Sequence, residues 1–177
     1  MSESPLAAIH RDLGARLVEI GGRTLPRNYG NSAAEYRAVR EGAGLVDRGD
    51  RVLLKATGRD PVGMLQGLVS NDVAGAPEGQ AVYSALLTPK GKMIADPRVF
   101  RRSEGEVWVE VAAEALEATQ AHFRKFVPPL FARFEDMSES YGVLGLYGPD
   151  ARRILTDLLD LELPEGMGED AFVMGSF

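Results

Sequence analysis

The sequence predicts an α+β fold, an antiparallel sheet with flanking helices, and three observations carry that prediction. Residues 51–57 put Val52, Leu54 and Ala56 on one face, the period of a half-buried strand, and residues 80–87, 92–101 and 106–111 read as further strands. Short turns at Thr88-Pro89-Lys90-Gly91 and Ser103-Glu104-Gly105 join the last three into an antiparallel meander. Runs of antiparallel strands are interleaved with separate helices, which separates the chain from a doubly wound parallel sheet.

The elements follow in order. Leu6, Ile9 and Leu13 recur at helical spacing, and Gly14 ends that short helix. Residues 15–20 read as a strand stopped by Gly21-Gly22, and Arg23 to Asn31, with Pro26, Asn28 and Gly30, as a loop. Ser32-Ala33-Ala34-Glu35 is a capping box that opens a helix to about Glu41, with Gly42 past its end. Leu45 to Asp47 is a short strand, and Arg51 to Thr57 a stronger one with Val52, Leu54 and Ala56 on one face. Asp60-Pro61 caps and starts a helix with Met64, Leu65 and Leu68 as its buried stripe, broken by Asn71-Asp72. After the meander, Ala113 to Phe126 is a helix with Leu116, Thr119, Phe123 and Phe126 on one side, ended by Pro128-Pro129. Leu130 to Phe134 and Gly142 to Tyr147 read as strands. Pro149 opens a helix through Leu159, and Ala171 to Phe177 reads as a last strand.

Composition narrows the chemistry. A length of 177 residues suits one domain, or one and a small part of another. The chain has no cysteine, so it contains no disulfide, thiolate nucleophile or cysteine-held metal. A net charge of −6 lacks the basic excess of a nucleic-acid clamp, and no direct nucleic-acid partner is expected. No run approaches the ~20 apolar residues that span a bilayer, and Met1 to Arg16 has no signal-like apolar core. The expectation is a cytoplasmic protein without a membrane partner. His10 and His122 lie far apart with no metal-ligand spacing, so no metal is expected and both read as surface or packing residues. Lys90-Gly91-Lys92 lacks the leading glycine and trailing Ser/Thr of a phosphate loop and reads as a hairpin turn. Trp108 reads as core. Motif reading alone stops at an α+β domain.

A further step comes from five blocks and their order. They are Leu13-Gly14-Ala15-Arg16-Leu17-Val18 with Gly21-Gly22 and Leu25-Pro26; Glu35 to Arg40 followed by Ala43 to Asp47; Leu65-Gln66-Gly67-Leu68-Val69-Ser70-Asn71-Asp72-Val73; Gly79 to Leu87 through Gly91 to Asp96; and Leu146-Tyr147-Gly148-Pro149-Asp150-Ala151. In this order and spacing the chain resembles the N-terminal part of the glycine cleavage T-protein (aminomethyltransferase) family. Residues 1–177 are accordingly read as a folate-binding N-terminal region, truncated at its C-terminal end. One branch of that family transfers a one-carbon unit to tetrahydrofolate; another binds folate and serves iron–sulfur cluster maintenance and, through it, tRNA modification. Leu65-Gln66-Gly67, Thr88 to Met93 and His122 to Val127 are similar to the second branch. The resemblance therefore implies a tetrahydrofolate-binding accessory protein with iron–sulfur protein partners. The alternative is an aminomethyltransferase of glycine cleavage. Three family positions differ: the first of a usual acidic pair is Ala95, with only Asp96 kept, a usual tyrosine is Phe100, and a usual asparagine is Ala112.

The same resemblance assigns the site. Asp96 is the position the family uses against the pterin, and it is the expected catalytic and folate-binding residue. Its plain reading is a solvent-facing carboxylate paired with Arg98, but an aspartate is disfavoured in a strand and so calls for a functional reason. Tyr83 lies on the partner strand. A two-residue loop at Lys90-Gly91 puts Ala85 opposite Asp96 and makes Tyr83 its diagonal neighbour; a three-residue loop puts Ser84 opposite and turns Tyr83 away. Core packing is the competing role for Tyr83. Asn71 is expected near the ligand opening or as a turn former. Lys90, Lys92, Arg98, Arg101 and Arg102 read as a solvated basic face, or as a dock for folate's anionic tail.

Overall fold

Gly21 and Gly22 take φ values of 57° and 77° and so turn the chain back on itself in two residues. The computed structural model describes residues 2–159, 163 and 171–173, and the chain divides into two compact units. The first begins with β1 (Ser2–Glu3), α1 (Ala7–Asp12), β2 (Arg16–Ile20), β3 (Arg23–Asn28), α2 (Ser32–Glu41) and β4 (Gly44–Asp47). The Gly21-Gly22 turn pairs β2 with β3 antiparallel, and β1 joins the other edge of β3 in parallel. The stretch expected as a loop from Arg23 is therefore a strand to Asn28. Its Pro26 pairs with Leu17 beside a register shift, where the ladder is already irregular.

Two other local expectations shift in this unit. Asn31, one residue earlier than Ser32, caps α2 by accepting from the Ala34 amide, and Glu35 reaches back to the amides of Tyr29 and Asn31. In α1 the buried positions are Ala7 and His10, while Ile9 and Leu13 are exposed.

The second unit holds β5 (Arg51–Thr57), α3 (Pro61–Gln66), β6 (Ala81–Tyr83), β7 (Leu86–Leu87), β8 (Met93–Ala95), β9 (Arg98–Ser103), β10 (Glu106–Ala112), a 3-10 turn at Ala113–Ala115, α4 (Leu116–Phe126) and β11 (Arg133–Asp136). Its five-stranded sheet runs β11-β5-β10-β9-β6, antiparallel throughout. Alternation gives it one dry face: Val52, Leu54 and Ala56 of β5 and Val107, Val109 and Val111 of β10 pack with Val99, Leu65, Leu86 and Phe123. Two of the three strands expected for the meander, 80–87 and 92–101, are each broken in two, while the third is the continuous β10. Pro97 cannot donate to a ladder, and its carbonyl instead accepts from the Ser84 amide, so β7–β8 separate from β6–β9. The strand expected from Leu130 begins at Arg133.

The chain returns to the first unit with β12 (Leu144–Tyr147), antiparallel to β4, and α5 (Ala151–Leu159). Of the last expected strand, Ala171 bridges Gln80; residues 174–177 lie outside the described residues.

Candidate functional site

The outward face of the five-stranded sheet carries the polar ladder that its alternation leaves over. Arg51 begins β5 and faces Ala112 at the end of β10; Glu110 lies two residues back on β10, opposite Leu53. Asp96 sits in the break before β9, and Tyr83 ends β6 opposite Arg98. All four positions therefore meet at one end of the sheet.

Hydrogen bonds join them. Arg51 donates from Nη1 to Asp96 Oδ1 at 3.0 Å, from Nη2 to the Asp96 main-chain oxygen at 3.1 Å, and from Nε to Glu110 Oε1 at 2.8 Å. Tyr83 donates its hydroxyl to Asp96 Oδ2 at 3.1 Å, and Asn71 Nδ2 donates to the Tyr83 carbonyl at 2.7 Å. The three residues expected at the site are thus connected: Asp96 and Tyr83 by their side chains, Asn71 through the Tyr83 backbone.

The hairpin register explains the meeting. Thr88 donates to the Lys92 carbonyl, leaving three residues in the loop, which alone would turn Tyr83 away. Ile94 then bulges: Leu87 pairs with Met93 but Leu86 with Ala95. That single extra residue restores the register in which Tyr83 is the diagonal neighbour of Asp96.

Four side-chain expectations are corrected, those for Asp96, Tyr83, Arg101 and the core reading of Trp108. Asp96 pairs with Arg51, because Arg51 reaches it across the sheet end, whereas Arg98 is exposed. Tyr83 is 53% exposed and is no core residue. Arg101 is buried and donates to the carbonyls of Val73 and Ala74 and to Glu104, so it pins a loop and leaves the basic cluster without a common face. Trp108 is half-buried, bonded to Glu106 and edge-on to Tyr141. Phe100, in the place of the family's tyrosine, packs edge-on against Phe172.

The electrostatics of Asp96 follow from its partners. Burial alone would raise its pKa, but the Arg51 hydrogen bond and charge, with the Tyr83 hydroxyl, outweigh it and hold the carboxyl below its ordinary 3.8. Burial likewise works against the Arg51 charge, and the carboxylates of Asp96 and Glu110 more than restore it. With the Asp96 side chain 38% exposed and Arg51 only 11%, an ionised acceptor is more open to solvent than the mostly covered cation that holds it. Such a group binds N–H donors or stabilises positive charge; an ionised carboxylate of low pKa is a weak proton acceptor.

Sequence reasoning missed Arg51 and Glu110. The signal was present in the alternation, since the positions out of phase with Val52, Leu54 and Ala56 hold Arg51 and Lys55, and those out of phase with Val107, Val109 and Val111 hold Glu106 and Glu110. It also missed a network in the first unit. There the Asp47 carboxylate accepts from Ser4 Oγ at 2.6 Å and from the Gly49 amide, and meets His10 Nε2 at 2.9 Å; His10 Nδ1 meets the Tyr29 hydroxyl at 2.8 Å. A hollow of about 570 Å³ beside this network is walled by Leu6, Ile9, Leu13, Leu45 and Leu144. Among the described residues no cluster of three metal-ligating side chains occurs, and no helix is long and apolar enough to cross a membrane.

Comparison with known proteins gives consistent results. The GCVT N-terminal domain matches residues 6–167. An aminomethyltransferase of Rubrobacter xylanophilus is 38% identical over 155 residues, which cover 88% of this chain and 41% of that protein. One from Thermus thermophilus is 31% identical over 172 residues, 97% of this chain and 49% of that protein. In three dimensions the chain is similar to the glycine cleavage system aminomethyltransferase T of Bartonella henselae, with a TM-score of 0.88, 25% identity, and coverage of 97% of this chain and 47% of that one. The chain spans just under half the length of these proteins.

Proposed function

Because the chain belongs to the aminomethyltransferase family that carries the GCVT N-terminal domain, we propose that its Asp96 face binds tetrahydrofolate as part of a one-carbon transferase. The observation that carries this reading is the ionised, part-exposed carboxylate of Asp96, held through Oδ1 by Arg51 while Oδ2 accepts from the Tyr83 hydroxyl. A reduced pterin offers ring N–H donors to such an oxygen and is stabilised by it when those nitrogens become cationic. The exposed Tyr83 ring beside it supplies a flat apolar surface. Asn71 acts on Tyr83 through its carbonyl, as a support for the ring.

The accessory reading, folate binding in service of iron–sulfur cluster maintenance and tRNA modification, is supported by Phe100 and Ala112, which remove two polar groups usual in the transferases. The relatives above share the aminomethyltransferase name and move the weight to the transferase.

Calorimetric titration with tetrahydrofolate tests the binding claim. Asp96→Asn keeps the size and removes the charge, and Arg51 retains Glu110, so the fold persists. The loss of a charge-assisted hydrogen bond, about 1.5–3 kcal/mol, lowers affinity by roughly one to two decades. Leu86→Ala, in the dry core, instead lowers stability by about 2–5 kcal/mol and leaves affinity close to parental. Parental affinity in Asp96→Asn removes Asp96 from the site. One-carbon transfer to folate by the protein supports the transferase; folate binding without transfer supports the accessory role.

A further inference from the structure

We propose that Arg51 is the positioning residue of this site: it fixes the Asp96 carboxylate so that Oδ2 alone is presented to the ligand. This rests on the folate reading of Asp96. The geometry is that of a clamp. Two nitrogens of one guanidinium grip a side-chain oxygen and the main-chain oxygen of the same residue, at 3.0 and 3.1 Å. Asp96 cannot rotate without giving up one of the two. The third nitrogen is anchored at 2.8 Å by Glu110, whose side chain is itself mostly buried, so the fork has one orientation. Arginine remains charged throughout the working pH range.

The consequence is an asymmetric carboxylate. Oδ1 is committed to the protein. Oδ2 meets only a neutral hydroxyl on an exposed ring, at the long distance of 3.1 Å, and that bond is exchangeable for a ligand N–H. Asp96 then serves as a fixed acceptor, and a proton that moves during the reaction is carried by another group.

A plain cross-strand ion pair looks different. Lys55 and Glu106, farther along the same face, meet at 3.3 Å through one nitrogen and grip no main chain. Lys55→Met is therefore the control for loss of a surface cation.

The test uses the full chain and two readouts, a carbon-NMR titration of the Asp96 carboxyl and calorimetric titration with tetrahydrofolate. Arg51→Met raises the Asp96 pKa and lowers affinity about tenfold or more, as removal of the partner that orients a ligand-contacting group does elsewhere. Arg51→Lys keeps the charge but not the fork, so it keeps Asp96 ionised and still loses affinity. Arg51→Met/Glu110→Gln removes the orphaned Glu110 charge and carries the same comparison if the single variant does not fold. Lys55→Met behaves as the parent. An unmoved Asp96 pKa in Arg51→Met, or parental affinity in both Arg51 variants, overturns the proposal. If the parent binds no tetrahydrofolate while Arg51→Met still moves the Asp96 pKa, the folate reading falls and the hold of Arg51 on Asp96 stands.

Discussion

Asp47 and Asp96 are both held below the ordinary carboxylate value of 3.8, against burial that pushes each of them up. In Asp47 the opposing groups are the Ser4 hydroxyl, the His10 ring and the Gly49 amide; in Asp96 they are Arg51 and Tyr83. A carboxyl with a folded-state pKa below its unfolded value adds stability that is complete above the unfolded value and disappears as pH falls through the folded one. Asp47 has a 5% exposed side chain, so its share is the larger; Asp96 is screened by water. Asp47→Asn should cost about 1–3 kcal/mol at neutral pH, the penalty for disturbing a buried hydrogen-bonded group, and should flatten the loss of stability below pH 3.8. Chemical unfolding across that range measures both; a parental acid limb would contradict the assignment. His10 belongs to the same network, which gives the packing role expected for it a specific content: it ties α1 to Asp47 and Tyr29.

At the scale of elements, Gly148 shows why a family block has the residues it has. Its φ is +119°, and a Cβ there would lie 2.4 Å from the Gly42 carbonyl oxygen and 2.6 Å from that of Val39. Both contacts are with backbone, so neither neighbour can swing aside. Gly148→Ala should therefore destabilise the chain by more than the roughly 1 kcal/mol of an ordinary glycine replacement, read as a fall in the unfolding midpoint; an unchanged midpoint would mean that the β12–α5 connection relaxes freely. The sequence made β5, β10 and α2 legible to within a residue or so, because each has a clean period and an end signal; for α3 it showed the start at Asp60-Pro61 but not the end, which falls at Gln66, short of the expected break at Asn71-Asp72. It made β3 illegible, since Pro26 argues against a strand and only the pairing with β2 overrides it. The break at Pro97 and the bulge at Ile94 were likewise hidden. Alternation fixes which face a residue takes only while the register is unbroken. Asp96, Tyr83 and Asn71 could be named because the family resemblance pointed to them, while Arg51, which reaches Asp96 from a strand more than forty positions earlier, carried no such mark.

At the scale of the molecule, the two units offer two different surfaces to a ligand. The first has an apolar hollow of about 570 Å³ beside the His10–Asp47 network. The second has the open, charged face of Asp96, whose side chain is 38% exposed. Volume alone favours the first and chemistry the second. A reduced pterin is polar at its rim and needs a free acceptor; the polar groups that line this hollow beside its leucine and isoleucine walls, Asp47, His10 and Tyr29, are already bonded to one another, to Ser4 and to the Gly49 amide. A crystal structure of the chain with tetrahydrofolate decides between them directly. The account predicts a pterin nitrogen within about 3 Å, hydrogen-bond distance, of Asp96 Oδ2, in place of the Tyr83 hydroxyl, with the Arg51 clamp on Oδ1 intact. A pterin seated elsewhere, with the Tyr83–Asp96 bond undisturbed, would contradict it.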